Sequence, residues 1–269
     1  MIIEPIAHIE NDFKEKFGIP RQSGLCDLPS KIVFEPKFRD KNAIRGIEDF
    51  SHLWLIWGFS EFDGKFSPTV RPPRLGGNVR KGVFATRSTN RPNPLGLSVV
   101  RLCEICADGT LVVSGADLMN GTPIFDIKPY LPYADSVPDA SNGWSLSEKS
   151  AVLEVDFPEE LLEKIPEIKR NSLIQILAQD PRPQYQNAPE RVYTMAFAER
   201  QVSFRVDGNT LFVVKIESKP PAKLVVCTRP SRAYYRLVPE GTLRVWQPHL
   251  THEQPLKRLF FLLTGSCYP

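Results

Sequence analysis

Arginine pairs with a carboxylate or phosphate through two parallel N–H bonds, a geometry lysine cannot copy, and two arginines stand in a stretch that limits its own motion. From Phe84 to Gly96 the chain reads Phe-Ala-Thr-Arg-Ser-Thr-Asn-Arg-Pro-Asn-Pro-Leu-Gly. Pro92 and Pro94 fix their own φ and hold their predecessors extended, so Arg87, Arg91 and Asn93 lie on a loop built to keep cations still. Such a loop loses little freedom when a ligand arrives. Leu97, just beyond it, offers an apolar floor for a flat ring. A second group is Asp126, Lys128 and Tyr130, which share one face of an extended segment because alternate strand residues do. A carboxylate there can accept a proton and an ammonium can stabilise charge on an oxygen. The same two residues can also be an ion pair that only shapes the strand end.

The 34 basic and 31 acidic side chains leave a formal charge of +3, which says nothing by itself about a polyanionic partner. The distribution says more. Residues 69–103 hold Arg71, Arg74, Arg80, Lys81, Arg87, Arg91 and Arg101 and no acidic residue. Charge runs are usually solvated faces, but this one is threaded with proline and glycine, which favours a structured, phosphate-facing patch. Other motifs carry less. Cys103 and Cys106 have C-x-x-C spacing without a second pair for zinc, and are expected to be buried structural thiols. His249 and His252 lack a ligand companion, so a surface pair is expected. His52 is balanced between a hydrogen-bonded structural role and a substrate-facing one. Neither a Gly-x-Gly-x-x-Gly turn nor a phosphate loop follows any strand, which argues against a doubly wound nucleotide fold.

Those groups need elements to hold them. Short apolar runs predict strands near 3–9, 31–38, 53–59, 82–86, 97–105, 110–116 and 123–130, with Asp108-Gly109 as a hairpin turn. The run Leu53-Trp-Leu-Ile-Trp-Gly-Phe59 reads as a central strand buried on both faces, and Val83, Phe84 and Ala85 as buried strand. The proline- and glycine-rich stretch 60–82 reads as a long functional loop. Many strands with little helical periodicity predict a mainly β fold: a closed β-barrel over 1–140. A small α+β domain follows over 141–217. There Leu161, Leu162, Ile165, Ile168, Leu173, Ile174 and Leu177 form a helical stripe interrupted near Pro166, and Asp207-Gly-Asn-Thr210 marks a hairpin. Residues 218–269 form an extension with eight Lys or Arg against two Glu, hence +6, together with several aromatic residues. It reads either as a surface for single-stranded RNA or as an add-on without a part in chemistry.

A chain of 269 residues that is 42% hydrophobic and 24% charged is expected to bury a real core. No apolar run approaches the ~20 residues of a membrane span, and no secretory leader pattern opens the chain, so a cytoplasmic location without membrane attachment is expected. Five cysteines at irregular spacing make no disulfide framework.

Six segments together resemble the TrmO (TsaA/YaeB-like) tRNA methyltransferase family. They are Phe84 to Gly96, Asp126-Ile-Lys-Pro-Tyr-Leu-Pro-Tyr-Ala-Asp135, Pro68 to Gly77, Ser51-His-Leu-Trp54, Lys16-Phe-Gly-Ile-Pro-Arg-Gln22 and Leu177-Ala-Gln-Asp-Pro-Arg-Pro183. The resemblance runs from about Ile3 to about Ile216 and does not reach the extension. It implies methyl transfer from S-adenosylmethionine to N6 of the threonylcarbamoyladenosine beside the anticodon of tRNA, on a barrel-like cofactor domain and in a homodimer. It implies a donor site formed by Pro20, Arg21 and Gln22, by Ser60 and Glu61 at a strand end, by Arg87, Ser88, Arg91, Asn93 and Leu97, and by the region of Asp126. With that reading, Asp126, Lys128 and Tyr130 become the catalytic candidates, Arg71, Arg74, Arg80 and Lys81 the RNA contacts, and no metal is expected. The competing class is a β-barrel RNA-binding module without catalysis, which would need the cations but not the neighbouring carboxylate.

Overall fold

The computed structural model describes residues 3–62, 65–72, 75, 77–145, 152–182 and 188–218. Arg74, Pro183, His249, His252 and the extension beyond Ser218 lie outside the described residues.

Six strands close into an antiparallel barrel: β1 (Ala7–Glu10), β2 (Ser30–Phe34), β3 (His52–Gly58), β6 (Leu95–Ile105), β7 (Leu111–Ser114) and β8 (Pro123–Pro129), in the order β1-β2-β7-β6-β3-β8. Alternation drives the closure. Ile9, Ile32, Leu53, Leu55, Val100, Leu111, Val113 and Ile124 all point inward and pack as one cluster, and closing the sheet removes the unpaired edges that an open one would expose. Because neighbouring strands run in opposite directions, the connections 11–29, 59–94 and 115–122 emerge at the same end of the barrel. That rim carries the Arg87 loop. A two-stranded ribbon of β4 (Thr69–Val70) and β5 (Lys81–Gly82) stands within the second of these connections. At the other end, Gly109 takes a left-handed φ of 89° in the turn between β6 and β7, and the short helix α1 (Pro132–Asp135) follows β8.

A second sheet has the order β10-β11-β12-β9, made of β10 (Tyr193–Phe197), β11 (Arg200–Asp207), β12 (Thr210–Ser218) and β9 (Glu154–Asp156). β9 pairs with β12 in parallel, and the other pairs are antiparallel. Helices α2 (Glu159–Leu162) and α3 (Glu167–Ala178) are separated at Pro166, which caps the second of them, as expected of a residue that cannot donate to the preceding turn. Leu173, Ile176 and Leu177 join Met195, Phe197, Phe204 and Leu211 in a core distinct from that of the barrel. Phe13, Cys26 and Leu28 also belong to this second core. The β1–β2 connection therefore leaves the barrel, inserts three side chains into the α+β core and returns. Gly18 sits at a close approach on that path. Its φ is +92°, and a Cβ there would run into the Met195 side chain.

Four expectations are corrected. Val83–Ala85 is a 3-10 turn rather than buried strand, and Phe84 is 73% exposed; of the strand expected over 82–86 only Gly82 is strand, as the second residue of β5. β3 buries one face fully and the other only partly, alternating along its length, because among the described residues no second layer covers its outer face. Cys103 is exposed and Cys106 half-exposed, since a register shift between Leu102 and Glu104 disturbs the strand there. Ile168 is 78% exposed, outside the buried stripe of α3.

Candidate functional site

Arg87 reaches across the rim and donates through Nη1 to the Gln22 side-chain oxygen. Beneath it lies Asp117, in the β7–β8 connection. The Ser98 hydroxyl donates to Asp117 Oδ1 at 2.5 Å, and the Trp57 indole donates to Ser98 Oγ at 3.0 Å. Burial raises the Asp117 carboxyl pKa above its ordinary range, and the Ser98 hydrogen bond and the Arg87 charge offset only part of that rise. Asp117 is not among the candidates that the sequence offers. Its signal was weak: an acidic residue at the strand end that antiparallel closure places on the same rim as Arg87.

Beside Asp117 a cavity of about 260 Å³ is lined by Lys16, Ile19, Trp57, Phe59, Ser60, Glu61, Phe62, Thr89, Met119 and Thr122. It is slightly smaller than the usual small-ligand pocket but has the usual character, mostly apolar with a few polar groups. Trp57 and Phe59 meet edge to face, with ring centroids 4.5 Å apart. Trp57 can occupy its place because the residue opposite it in register is Gly96, where any Cβ would collide with the indole. Ser60 and Glu61 thus belong to this rim. Pro20 is buried and Gln22 half-buried. Arg21 donates through Nη2 to the carbonyls of Asp180 and Arg182, at 2.8 and 3.3 Å.

Within the Arg87 loop the labour divides. Arg91 Nη1 donates to the carbonyls of Val83 and Thr86 at 3.3 and 2.8 Å, and its guanidinium lies 5.7 Å from the Phe84 ring centroid. Arg91 therefore braces the turn that presents Arg87. The Ser88 amide donates to Thr86 Oγ1 at 3.3 Å, and the Asn93 carbonyl accepts from the Leu95 amide at 2.8 Å. Asn93 itself is exposed.

The second group stands on the outer wall of the barrel. Asp126, Ile56 and Leu97 form one row across β8, β3 and β6, which puts Asp126 roughly 10 Å from Leu97 at the usual strand spacing. Asp126 pairs with Lys128 at 2.9 Å, both side chains being well exposed, and its Oδ1 accepts from the Ile127 amide at 2.9 Å. Tyr130 lies about 13 Å farther along the strand direction, packed 5.6 Å from Trp54 and 6.4 Å from His52 between ring centroids. His52 Nδ1 shares a hydrogen bond with Ser51 Oγ at 2.9 Å. Asp135 accepts from the Leu131 amide and the Trp54 indole, and these two bonds, the first the stronger, hold its pKa below the ordinary range. The structure thus brings Asp126 and Lys128 together but leaves Tyr130 apart from the rim.

Of the basic patch, Val70 and Lys81 are register partners in the β4–β5 ribbon, so Arg71, Arg80 and Lys81 gather at its mouth. Arg80 Nη1 donates to Thr69 Oγ1 at 3.0 Å. Among the described residues no cluster of His, Cys, Asp and Glu could hold a metal ion, and no helix is long and apolar enough to cross a membrane.

Residues 8–136 match the model of the tRNA-methyltransferase O N-terminal domain, and residues 150–219 that of the TrmO C-terminal domain. An Escherichia coli K12 protein named tRNA (adenine(37)-N6)-methyltransferase is 40% identical over 229 residues, 80% of this chain and 97% of that protein. The chain belongs to the TrmO family. A Pseudomonas aeruginosa PAO1 protein named putative S-adenosylmethionine-dependent methyltransferase RcsF is 44% identical over 206 residues, 71% of this chain and 86% of that relative. A crystal structure of TrmO from Pseudomonas aeruginosa matches with a TM-score of 0.66 at 33% identity, over 81% of this chain and 99% of that one. The TrmO N-terminal domain here contains the barrel with the whole Arg87 rim, and the TrmO C-terminal domain contains the sheet and helices that grip the β1–β2 connection.

Proposed function

We propose that this protein transfers the methyl group of S-adenosylmethionine to N6 of an adenosine in tRNA, and that its substrate is the threonylcarbamoyladenosine beside the anticodon. Family membership supports the reaction class, since the relatives above carry those names. The observation that carries the site assignment is the Arg87 guanidinium, held by Gln22 at the rim beside the Asp117 cavity. The donor carries a carboxylate, which Arg87 can bind bidentately. It also carries an adenine, for which Leu97 offers an apolar floor, and a cationic sulfur, which carboxylate and π-faces favour.

The reaction needs the acceptor nitrogen in line with the methyl group, so much of the catalysis is positioning. An N6 bearing a carbonyl substituent is a weak nucleophile and a better acid. Asp126 is assigned to accept or orient its proton, and Lys128 to stabilise charge on the carbamoyl oxygen. Asp126 and Leu97 lie on the open outer wall, where Leu97 is 57% exposed. A second copy of the chain would cover that wall, and a homodimer with an enclosed site is the assembly this exposure favours. The ribbon cations Arg71, Arg80 and Lys81, with Arg74, are assigned to the tRNA backbone, and the α+β domain to a further tRNA contact.

Calorimetry of S-adenosylmethionine against the purified protein without RNA tests the donor site. Saturable binding that Arg87→Ala abolishes is expected. Absence of binding by the wild type would leave a non-catalytic RNA-binding barrel.

A further inference from the structure

The α+β domain holds the connection that carries Gln22 at several places, through Phe13, Cys26 and Leu28 in its core and the Asp27–Gln175 bonds, and next to Gln22 itself through the 179–182 turn that ends α3. Asp180 adopts a left-handed φ of 49°, a backbone conformation that is strained for a residue with a Cβ. The turn is over-determined enough to hold it. Arg182 pairs with the Asp180 carboxylate through two bonds, Nε to Oδ1 at 2.8 Å and Nη2 to Oδ2 at 3.0 Å, and its amide adds a third at 3.2 Å. The amides of Gln179 and Asp180 donate back to Ile176 and Leu177 in the last turn of α3, whose Leu173 and Leu177 are fully buried. This frame aims the Asp180 and Arg182 carbonyls at Arg21. The next residue is Gln22, whose Nε2 donates to the Arg21 carbonyl at 2.5 Å while its Oε1 accepts from Arg87. Two residues on, the Gly24 amide donates to the Gly115 carbonyl at 2.8 Å, beside the strand end that carries Asp117.

We infer that the 179–182 turn is a positioning device for the methyl-donor site, acting through Arg21 and Gln22 on the Arg87 guanidinium. Arg21 is then a positioning residue rather than a donor contact. Its Nη2 bonds fix the backbone from which Gln22 extends, and Gln22, with both ends of its amide engaged, sets the direction of Arg87. The two ends of this chain lie in different TrmO domains, so the α+β domain takes part in donor binding without touching the donor. The inference rests on the donor-site reading above, and its test separates the two.

The experiment compares Arg182→Gln, which loosens the turn, with Asp180→Asn, which tolerates a left-handed φ and keeps a hydrogen bond to Arg182. Arg21→Met leaves the turn itself intact. In donor-free protein, amide exchange in the segment around Gly24 is expected to rise about 10-fold in Arg182→Gln and Arg21→Met and to stay near wild type in Asp180→Asn. In methyl-transfer assays the same two variants raise the donor KM about 10-fold, while kcat at saturating donor and the KM for tRNA hold within about two-fold. A lower melting temperature with unchanged exchange around Gly24 and unchanged donor KM makes the turn a structural contact and overturns the inference. A donor KM raised by Arg21→Met alone also overturns it, because Arg21 would then touch the donor directly. If the wild type transfers no methyl group, the donor-site reading falls, and the exchange measurement still decides whether the turn positions Gln22.

Discussion

Arg87 and Gln22, 65 residues apart in the chain, meet as guanidinium donor and amide acceptor on the barrel rim. That contact leaves Arg87 exposed yet directed, the condition under which a planar fork is worth more than a point charge. Arg87→Lys is expected to keep the charge and lose the fork, weakening donor binding by about 1 to 3 kcal/mol, the range of a charge-assisted hydrogen bond. Calorimetry with S-adenosylmethionine measures it. Unchanged affinity in a folded variant would move Arg87 to RNA binding or structure.

Asp117 makes a prediction about pH. Its carboxyl pKa is raised in the folded protein, with burial as the main cause, so between the ordinary carboxylate range and the raised value the folded state binds more protons than the unfolded one. In that window stability falls as pH rises. Asp117→Asn removes this contribution, and its melting temperature should drop less than that of the wild type as pH increases through the mildly acidic range. Parallel melting curves from about pH 4 to 7 would contradict the assignment.

Gly96 stands opposite Trp57, and the indole fills the space a Cβ would need. Gly96→Ala should cost about 1 to 3 kcal/mol, typical of overpacking, and displace the ring that walls the cavity. Chemical denaturation together with tryptophan fluorescence reads both effects. A variant as stable as wild type with an unmoved spectrum would show that the neighbouring strands yield easily.

How much of this was legible beforehand depends on the range of the signal. The barrel, the break between α2 and α3 at Pro166 and the hairpin at Gly208-Asn209 follow from local alternation, proline chemistry and turn residues, and they stand as expected. Phe84 was misread because an apolar triplet of β character looks the same in a strand and in an exposed 3-10 turn, and only the bonds from Arg91 decide between them. Asp117 and the Arg21–Asp180 bond were illegible for another reason. Both depend on residues far apart in the chain, and no periodicity encodes which loops share a rim. Cys26 was equally silent: it is buried in the second core, where burial pushes its thiol up to about 11.

The basic ribbon makes a separate prediction. Replacing Arg71 and Arg80 by Ala should lower the salt dependence of tRNA binding by about 0.7 to 0.9 per lost phosphate contact, with donor affinity unaffected. An unchanged slope would reduce the patch to a solvated face.

The exposed pair of Asp126 and Lys128, 2.9 Å apart, carries the chemical part of the account. As a surface ion pair it contributes little to stability, on the order of 1 kcal/mol or less. Asp126→Asn should therefore fold normally and bind donor and tRNA nearly as wild type, while turnover falls ~100-fold or more. A stable variant with normal turnover would mean that positioning alone carries the transfer.

Single-turnover transfer of labelled methyl from S-adenosylmethionine to two otherwise identical tRNAs, one bearing threonylcarbamoyladenosine beside the anticodon and one bearing plain adenosine there, decides both the activity and the substrate. Label is expected at N6 of the modified residue, with little on the other tRNA. No transfer to either would contradict the assigned activity, and equal transfer to both would contradict the assigned substrate.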